Sequence, residues 1–522
     1  MHDRPGIWLR IFTILTSLAI IAAAPVKPPI PISYATTRIT GPLTKNGLVD
    51  YVAAFNQHFG KGVTPENNAA VPLLILFRPG SFRGWQSKLF KGKMVTTSIP
   101  GWGAMRRKAL GITAHDLTGP RFIDFQTFRK HADPAAVSQA AGDTGHLSPA
   151  PRYIPGKLYI HPWSAHNHPW VAAWLQVNEG ALDIAQAAFY RPRFFNPLLR
   201  NLRSEPMTNA IGSAWGIFGE IQTASEYLVV RAMLELHRND IESCENDLLS
   251  ANHAGILLSQ EHMLMSSMAA CAAASFPAQA DEALANSGKL STRQDLAYLH
   301  KLQMLGTMAP ISNVLDTTER WWILSAFQSA AVTNNLAILP IPIVKNRWSQ
   351  SSYANAMIIV NHFQDRLVNT FKIHSLIGRL IALKKDEAFW RHKSSNPIIV
   401  YLVKNLLKDE PLIINNTSNL AARSRMDYLV FALAAYRSDH GIFPDRLAQL
   451  SPKYLRAIPR DPFTGKPFQY STGPTGCTIA SPGRFPKRLE VTGKHFHYLP
   501  MVVHLSKVGA RGSRTDQNEM LH

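Results

Sequence analysis

The stretch RSRMDYLVFALAAYRSDHG, 423–441, constrains the fold of this chain more than any other. Met426, Leu429, Val430 and Leu433 recur at i, i+3, i+4 and i+7, the period of an α-helix. From Tyr428 to Tyr436 the stretch is nearly apolar all round, and Gly441 stops it. A helix without a polar face needs neighbours on every side. The preceding sequence supplies them, because 171–420 reads as an α-helical body. Within it, GSAWGIFGEIQTASEYLVVRAMLELHRND and IESCENDLLSANHAGILLSQ form a helical hairpin jointed at Arg238-Asn239-Asp240, with Ala232 and Leu236 facing Cys244 and Leu248. Periodicity predicts further helices over 261–274, 291–305, 321–331, 353–371 and 376–389. The expected fold class is mainly α: a body of helical hairpins with a small C-terminal α+β module.

The N-terminus indicates location. Arg4 and Arg10 precede the apolar run IFTILTSLAIIAAAPV, 11–26, a basic region followed by a hydrophobic one as in export signals. With Trp8 and Leu9 the run approaches the ~20 residues that span a bilayer. Residues 1–26 therefore read as a signal anchor and transmembrane helix. The N-terminus is expected to be cytoplasmic and the bulk extracytoplasmic, with a single pass. Ala22 and Ala24 supply an A-x-A pattern, so secretion after cleavage is the alternative, although Pro25 would follow the cut. A Pro-rich spacer, 27–43, reads as extended chain. Residues 44–170 read as an N-terminal helical hairpin, its second helix N-capped by Thr64 with Pro65 at N1, followed by an irregular loop region. Short helices are predicted there near 122–131 and 134–141. The C-terminal module spans 421–485, and 486–522 reads as a basic, partly disordered tail.

Charge sets the expected partners. There are 55 Lys+Arg against 35 Asp+Glu, a formal net charge of +20, which favours anionic envelope polymers or envelope proteins. The basic groups, such as Arg106-Arg107-Lys108, are scattered and accompany no nucleic-acid recognition motif. No specific nucleic-acid binding is expected, and the basic residues read as a solvated surface. Three cysteines, none in a CxxC pair, cannot build a disulfide framework.

The segment LAAYRSDHGIFPDRLAQLSPKYLRAIPRDPFTGKPFQY, 433–470, resembles the C-terminal region of type II secretion major pseudopilins. The matching positions are Tyr436, Gly441, Phe443, Pro444, Leu447, Leu450, Pro459, Asp461, Pro462, Phe463, Pro467, Phe468 and Tyr470, with Gly465 one position late. The resemblance implies a long helix, a short helical turn, an extended arm and a strand hairpin. It also implies calcium binding near the arm, with Asp461 as a ligand. The anchor of this chain, however, lies far upstream of the long helix and has no prepilin motif, so the module reads as a borrowed folding unit. More loosely, the whole chain resembles uncharacterised membrane-anchored proteins of planctomycete-type bacteria, on GLVDYVAAFNQHFGKGVTPENNAA and the same ending. That family implies fold and location rather than a reaction.

Chemistry is sparse. His161, His166 and His168 in YIHPWSAHNHPW are the candidate metal ligands, since imidazoles suit zinc or copper. Neither an acidic nor a cysteine ligand lies beside them in the sequence. Asp461 reads either as a calcium ligand or as the cap of the turn Asp-Pro-Phe-Thr-Gly. No G-x-S-x-G, H-E-x-x-H or Walker A sequence occurs, and Asp183, Glu220 and Glu226 read as ordinary helix-face residues until a partner appears. The expected function is non-catalytic binding or scaffolding at a bacterial envelope, without a resident cofactor. The alternatives are a metal-assisted hydrolase using the three histidines and an accessory of a secretion machine.

Overall fold

The computed structural model describes residues 30–77, 85–90, 93–98, 102–140, 149–199, 207, 210, 216–333, 349–392, 410–482 and 501–506. The apolar run 11–26 lies outside them, and among the described residues no helix is long and apolar enough to cross a membrane. The first helices are α1 (Tyr51–Phe59) and α2 (Ala70–Phe77), followed by an antiparallel hairpin of β1 (Trp85–Phe90) and β2 (Lys93–Ser98). Next come α3 (Trp102–Leu110), α4 (Phe125–His131), α5 (Pro134–Ala140), α6 (Pro169–Val177) and α7 (Glu179–Phe189). The body continues with α8 (Gly216–Arg238), α9 (Ile241–Ser259), α10 (Leu264–Ala273), α11 (Ser275–Asn286) and α12 (Thr292–Met304). A π turn, Leu315–Glu319, joins α13 (Ile311–Val314) to α14 (Arg320–Thr333). Helices α15 (Gln350–Lys372), α16 (Leu376–Arg391) and α17 (Glu410–His440) precede β3 (Gln469–Gly473), β4 (Gly476–Ser481) and β5 (Met501–Ser506). The fold is mainly α with one small antiparallel sheet, β3-β4-β5, near the C-terminus.

Helix α17 occupies the place that its apolar circumference demands. Leu429 through Ala435 have no solvent exposure at all. Helices α10, α11, α12 and α16, strand β5 and the 3-10 turn Leu447–Leu450 surround it. Phe431 lies against Tyr298 of α12 with ring centroids 4.8 Å apart. The helix ends where Gly441 takes φ +70 and donates its N–H to the Arg437 carbonyl, the left-handed stop expected of a C-terminal glycine. It starts earlier than the 421 boundary. The polar run Asn415-Asn416-Thr417-Ser418 resembles a loop in sequence, but Thr417 and Ser418 bond back to the Ile413 and Ile414 carbonyls and stay helical.

One hydrophobic core runs from Ile30 to Leu505, so the C-terminal module shares the core of the body. Arg437, 5% exposed, fastens the two together. Its guanidinium donates to the Ser506 carbonyl of β5 (2.7 Å) and to the Ala285 carbonyl of α11 (2.9 Å). Asn286 brackets the same strand, accepting from Ser506 N–H and donating to the His504 carbonyl. Strand β5 alternates buried and exposed residues along its length, as a half-buried strand must. The reading of 486–522 as tail is therefore corrected at 501–506.

Three other expectations change. Residues 30–43 do not form a free spacer: Ile30, Thr36 and Thr37 are buried, and Asn361 of α15 donates to the Ala35 and Thr36 carbonyls. Arg38 adds ion pairs to Asp316 and Asp365. The second N-terminal helix starts at Ala70 rather than after Thr64, because Thr64 and Asn67 exchange side-chain to backbone hydrogen bonds in a preceding turn. Helices α1 and α2 also turn to different partners, α1 to α14 and α2 to α7 and α8.

The hairpin of α8 and α9 folds as its sequence requires. Asn239 adopts φ +66 at the joint, and Asp240 caps α9 by accepting from Ser243 N–H. Helix α10 crosses α9 closely at Gly255, where an added Cβ would come within 2.9 Å of the Ala270 carbonyl oxygen. Replacing Phe431 by Ala should cost about 3–5 kcal/mol through the cavity left inside α17's surroundings. A lowered urea midpoint is the expected result, and an unchanged one would contradict the burial described.

Candidate functional site

Arg231 on α8 and Asp247 on α9 both lie eight residues from Asn239, so the antiparallel hairpin sets them opposite each other. The pairing is bidentate: Arg231 Nε reaches Asp247 Oδ2 and one terminal nitrogen reaches Oδ1, each at 2.7 Å. The other terminal nitrogen reaches Asp183 Oδ1 on α7 at 2.7 Å. Gln186, one turn beyond Asp183, donates to Asp247 Oδ1 at 2.6 Å. The network ties α7, α8 and α9 together beneath a cleft of about 550 Å³, with α6 contributing Ala172, Leu175 and Gln176 to its wall. That volume falls within the ordinary range for small-molecule sites, about 300–1,000 Å³.

Electrostatics divides the cleft into a fixed base and a responsive rim. Burial opposes the Arg231 charge, but its bonds to Asp247 and Asp183 outweigh that and strengthen its hold on the proton. The Asp247 side chain is fully buried, and burial raises its pKa against the pull of Arg231. Glu235, one turn after Arg231, is pushed up to about 8, first by burial and then by the Asp247 charge. Its Oε1 stands 3.7 Å from Arg231 Nε, and a hydrogen bond shared with the Asp247 carboxylate adds to the rise. A carboxyl so placed beside a carboxylate keeps its proton near neutral pH. Asp183 thus acquires the partner that its position in the sequence did not reveal. The signal was present as the equal spacing of Arg231 and Asp247 about the joint.

A second buried cluster joins distant segments. Arg106 of α3 is fully buried rather than part of a solvated basic surface, and burial lowers its pKa to about 10 despite Glu261 and Glu220. Burial pushes both of those carboxyls up to about 8. Between α11, α12 and α17, Asp281 accepts from the Tyr298 hydroxyl (2.6 Å) and the Asn252 amide (2.9 Å), and burial raises it to about 7.

The sequence-predicted site residues lie elsewhere. Trp163 docks the histidine loop onto α8, its indole N–H donating to the Val230 carbonyl at 3.0 Å. His161 and His166 are exposed, whereas His168 is half-buried before α6 with its ring edge-on to Trp163. Among the described residues, no group of three His, Cys, Asp or Glu side chains is arranged to hold a metal ion. Asp461 is 1% exposed. Its Oδ1 accepts from Phe463 N–H (2.9 Å) and the Ser481 hydroxyl (3.2 Å), and its Oδ2 accepts from the Thr464 hydroxyl (3.1 Å). The Asp461 carbonyl accepts from Gly465 N–H, and its own N–H donates to the Lys466 carbonyl. The side chain shapes the turn and ties it to β4.

No family model, curated protein or solved structure matches this chain.

Two predictions arise from these groups. Glu220, Glu235, Glu261 and Asp295 are raised to about 8, and Asp281, Glu282 and Glu319 to about 7. The native chain then holds protons that the unfolded chain has released, so this contribution is lost as pH rises through those values. His262, lowered to about 4 mainly by burial, acts oppositely and costs stability as pH falls below 6.5. The urea midpoint should therefore decline from about pH 6.5 to about pH 9, and a rising midpoint would contradict these burials. Asp461→Ala should lower stability by about 1–3 kcal/mol equally with calcium or with chelator. A loss seen only with calcium would identify a ligand instead.

Proposed function

We propose that this chain is a non-catalytic binding protein on a helical scaffold, held at a bacterial envelope by its N-terminal apolar run. Its ligand site is the cleft over the Arg231 network. The observation that carries this reading is a 550 Å³ concavity whose polar base is immobilised by a bidentate arginine–carboxylate pair from two helices. Binding sites are commonly built this way, with convergent polar groups on rigid elements. The lining holds no histidine, cysteine or lysine, and the Arg231 guanidinium at its base is committed to Asp247. Those features favour binding over acid–base chemistry. The envelope location is supported by the basic-then-apolar pattern of 1–26. Helix α17 followed by a helical turn and a small sheet is the order that the pseudopilin resemblance calls for, which supports a shared folding unit.

Hydrogen exchange on the full chain, with and without a solubilised envelope fraction, tests the site. Protection is expected in α6, α7 and the C-terminal half of α8, and it should vanish in Ala172→Trp, which fills the cleft. Protection confined to other helices would refute the assignment. Location is tested by protease added to intact cells, where digestion of the body is expected and complete protection contradicts export. Stoichiometric zinc that disappears when His161, His166 and His168 are all replaced by Ala would favour the hydrolase instead.

A further inference from the structure

We propose that the cleft takes an organic cation, a primary ammonium or guanidinium group carried on an aliphatic stem. The inference rests on the cleft being a ligand site and identifies the class of ligand. The rim presents Glu179, Asp183, Glu235 and Asp240, with the fully buried Asp247 behind them, against only Arg231 and Arg238. Three of the five Arg231 N–H groups already donate to Asp247 and Asp183, and those two carboxylates match its charge, so it offers an anion little net attraction. Hydrogen-bond acceptors therefore remain in excess. Asp183 is bonded through one oxygen, and its side chain is 63% exposed at the mouth. A ligand that satisfies this lining must bring N–H donors and positive charge.

Three further features narrow the class. On a chain of net charge +20, an acid-rich concavity is a local inversion of sign that draws a cation to one place. Leu175 and Leu234 supply an apolar wall along which methylenes can lie. Glu235, which lines the cleft beside Asp247 and keeps its proton near neutral pH, adds a latent negative charge. The groups interacting with Glu235 are Arg231 on its own helix, Asp240 at the joint, and Cys244 and Asp247 on α9, while Arg238, Glu179 and Asp183 share its cleft. With Glu235 titrating at about 8, the cleft becomes more negative as pH rises from 7 to 9. A guanidinium stays charged through that window, so its affinity should rise with pH.

The test is calorimetric titration of the full chain with agmatine, with spermidine and with a Gly-Arg-Gly peptide; citrate and glucose serve as anionic and neutral controls. Saturable binding of one cation per chain is expected, weakened by salt and reduced about fivefold in Glu179→Gln and in Asp183→Asn. Glu179 is exposed, so its replacement probes the rim without disturbing the fold. Glu235→Gln should bind at neutral pH but lose the gain toward pH 9. Preference for spermidine or agmatine indicates a free amine, and preference for the peptide indicates a basic side chain. Binding of citrate in place of the cations, or cation binding indifferent to all three variants, overturns the proposal. If the cations fail while the envelope fraction still protects the cleft helices, the ligand class falls and the site stands; if protection fails too, both fall.

Discussion

The Arg231–Asp247 pair is the interaction on which the rest of the cleft depends. Burying an isolated charge costs several kcal/mol, and mutual attraction offsets this only with close geometry and further hydrogen bonds. Here the geometry is bidentate and Gln186 and Asp183 complete the bonding, so three helices are fixed relative to one another around a single guanidinium. Arg320 repeats the solution elsewhere, fully buried and paired with Asp316 and Asp365 while donating to Asn361. Arg437 uses backbone carbonyls instead. Part of the positive charge read as surface is thus structural cement: Arg106, Arg320 and Arg437 are buried.

Where carboxylates exceed their cationic partners, burial leaves them protonated. This surplus links fold and function. In the interior it makes stability sensitive to alkali, and in the cleft it leaves acceptors facing outward. The same desolvation that raises Glu235 gives the site its character. Because the partners come from α7, α8 and α9 rather than from a loop, the arrangement is rigid.

Much of the helical architecture was legible because it is written in local periodicity. Ser291, Ser349 and Ser375 cap helices close to where the pattern starts them, and Gly441 stops α17. Helix α11 was missed because SFPAQADEALAN carries a proline in its first turn and no strong apolar stripe. The hairpin β1–β2 was missed because its strands mix charge with apolar residues without clean alternation. The site was the least legible part. Asp183, Arg231 and Asp247 each look like ordinary helix-face residues; the hairpin register sets Arg231 opposite Asp247, and the packing of α7 on the hairpin adds Asp183 from outside it. The histidine cluster is local and therefore conspicuous in the sequence, yet Trp163 and the α6 N-terminus account for how that loop is held.

The central claim, that a coupled arginine–carboxylate pair organises the body and its cleft, is best tested by a double-mutant cycle on Arg231→Met and Asp247→Leu. Each single change should cost about 3–5 kcal/mol in urea unfolding, because each strands the partner's buried charge. The double variant should lose less than the sum of the two single losses, by a coupling energy of about 1–3 kcal/mol. Strictly additive losses would contradict the account.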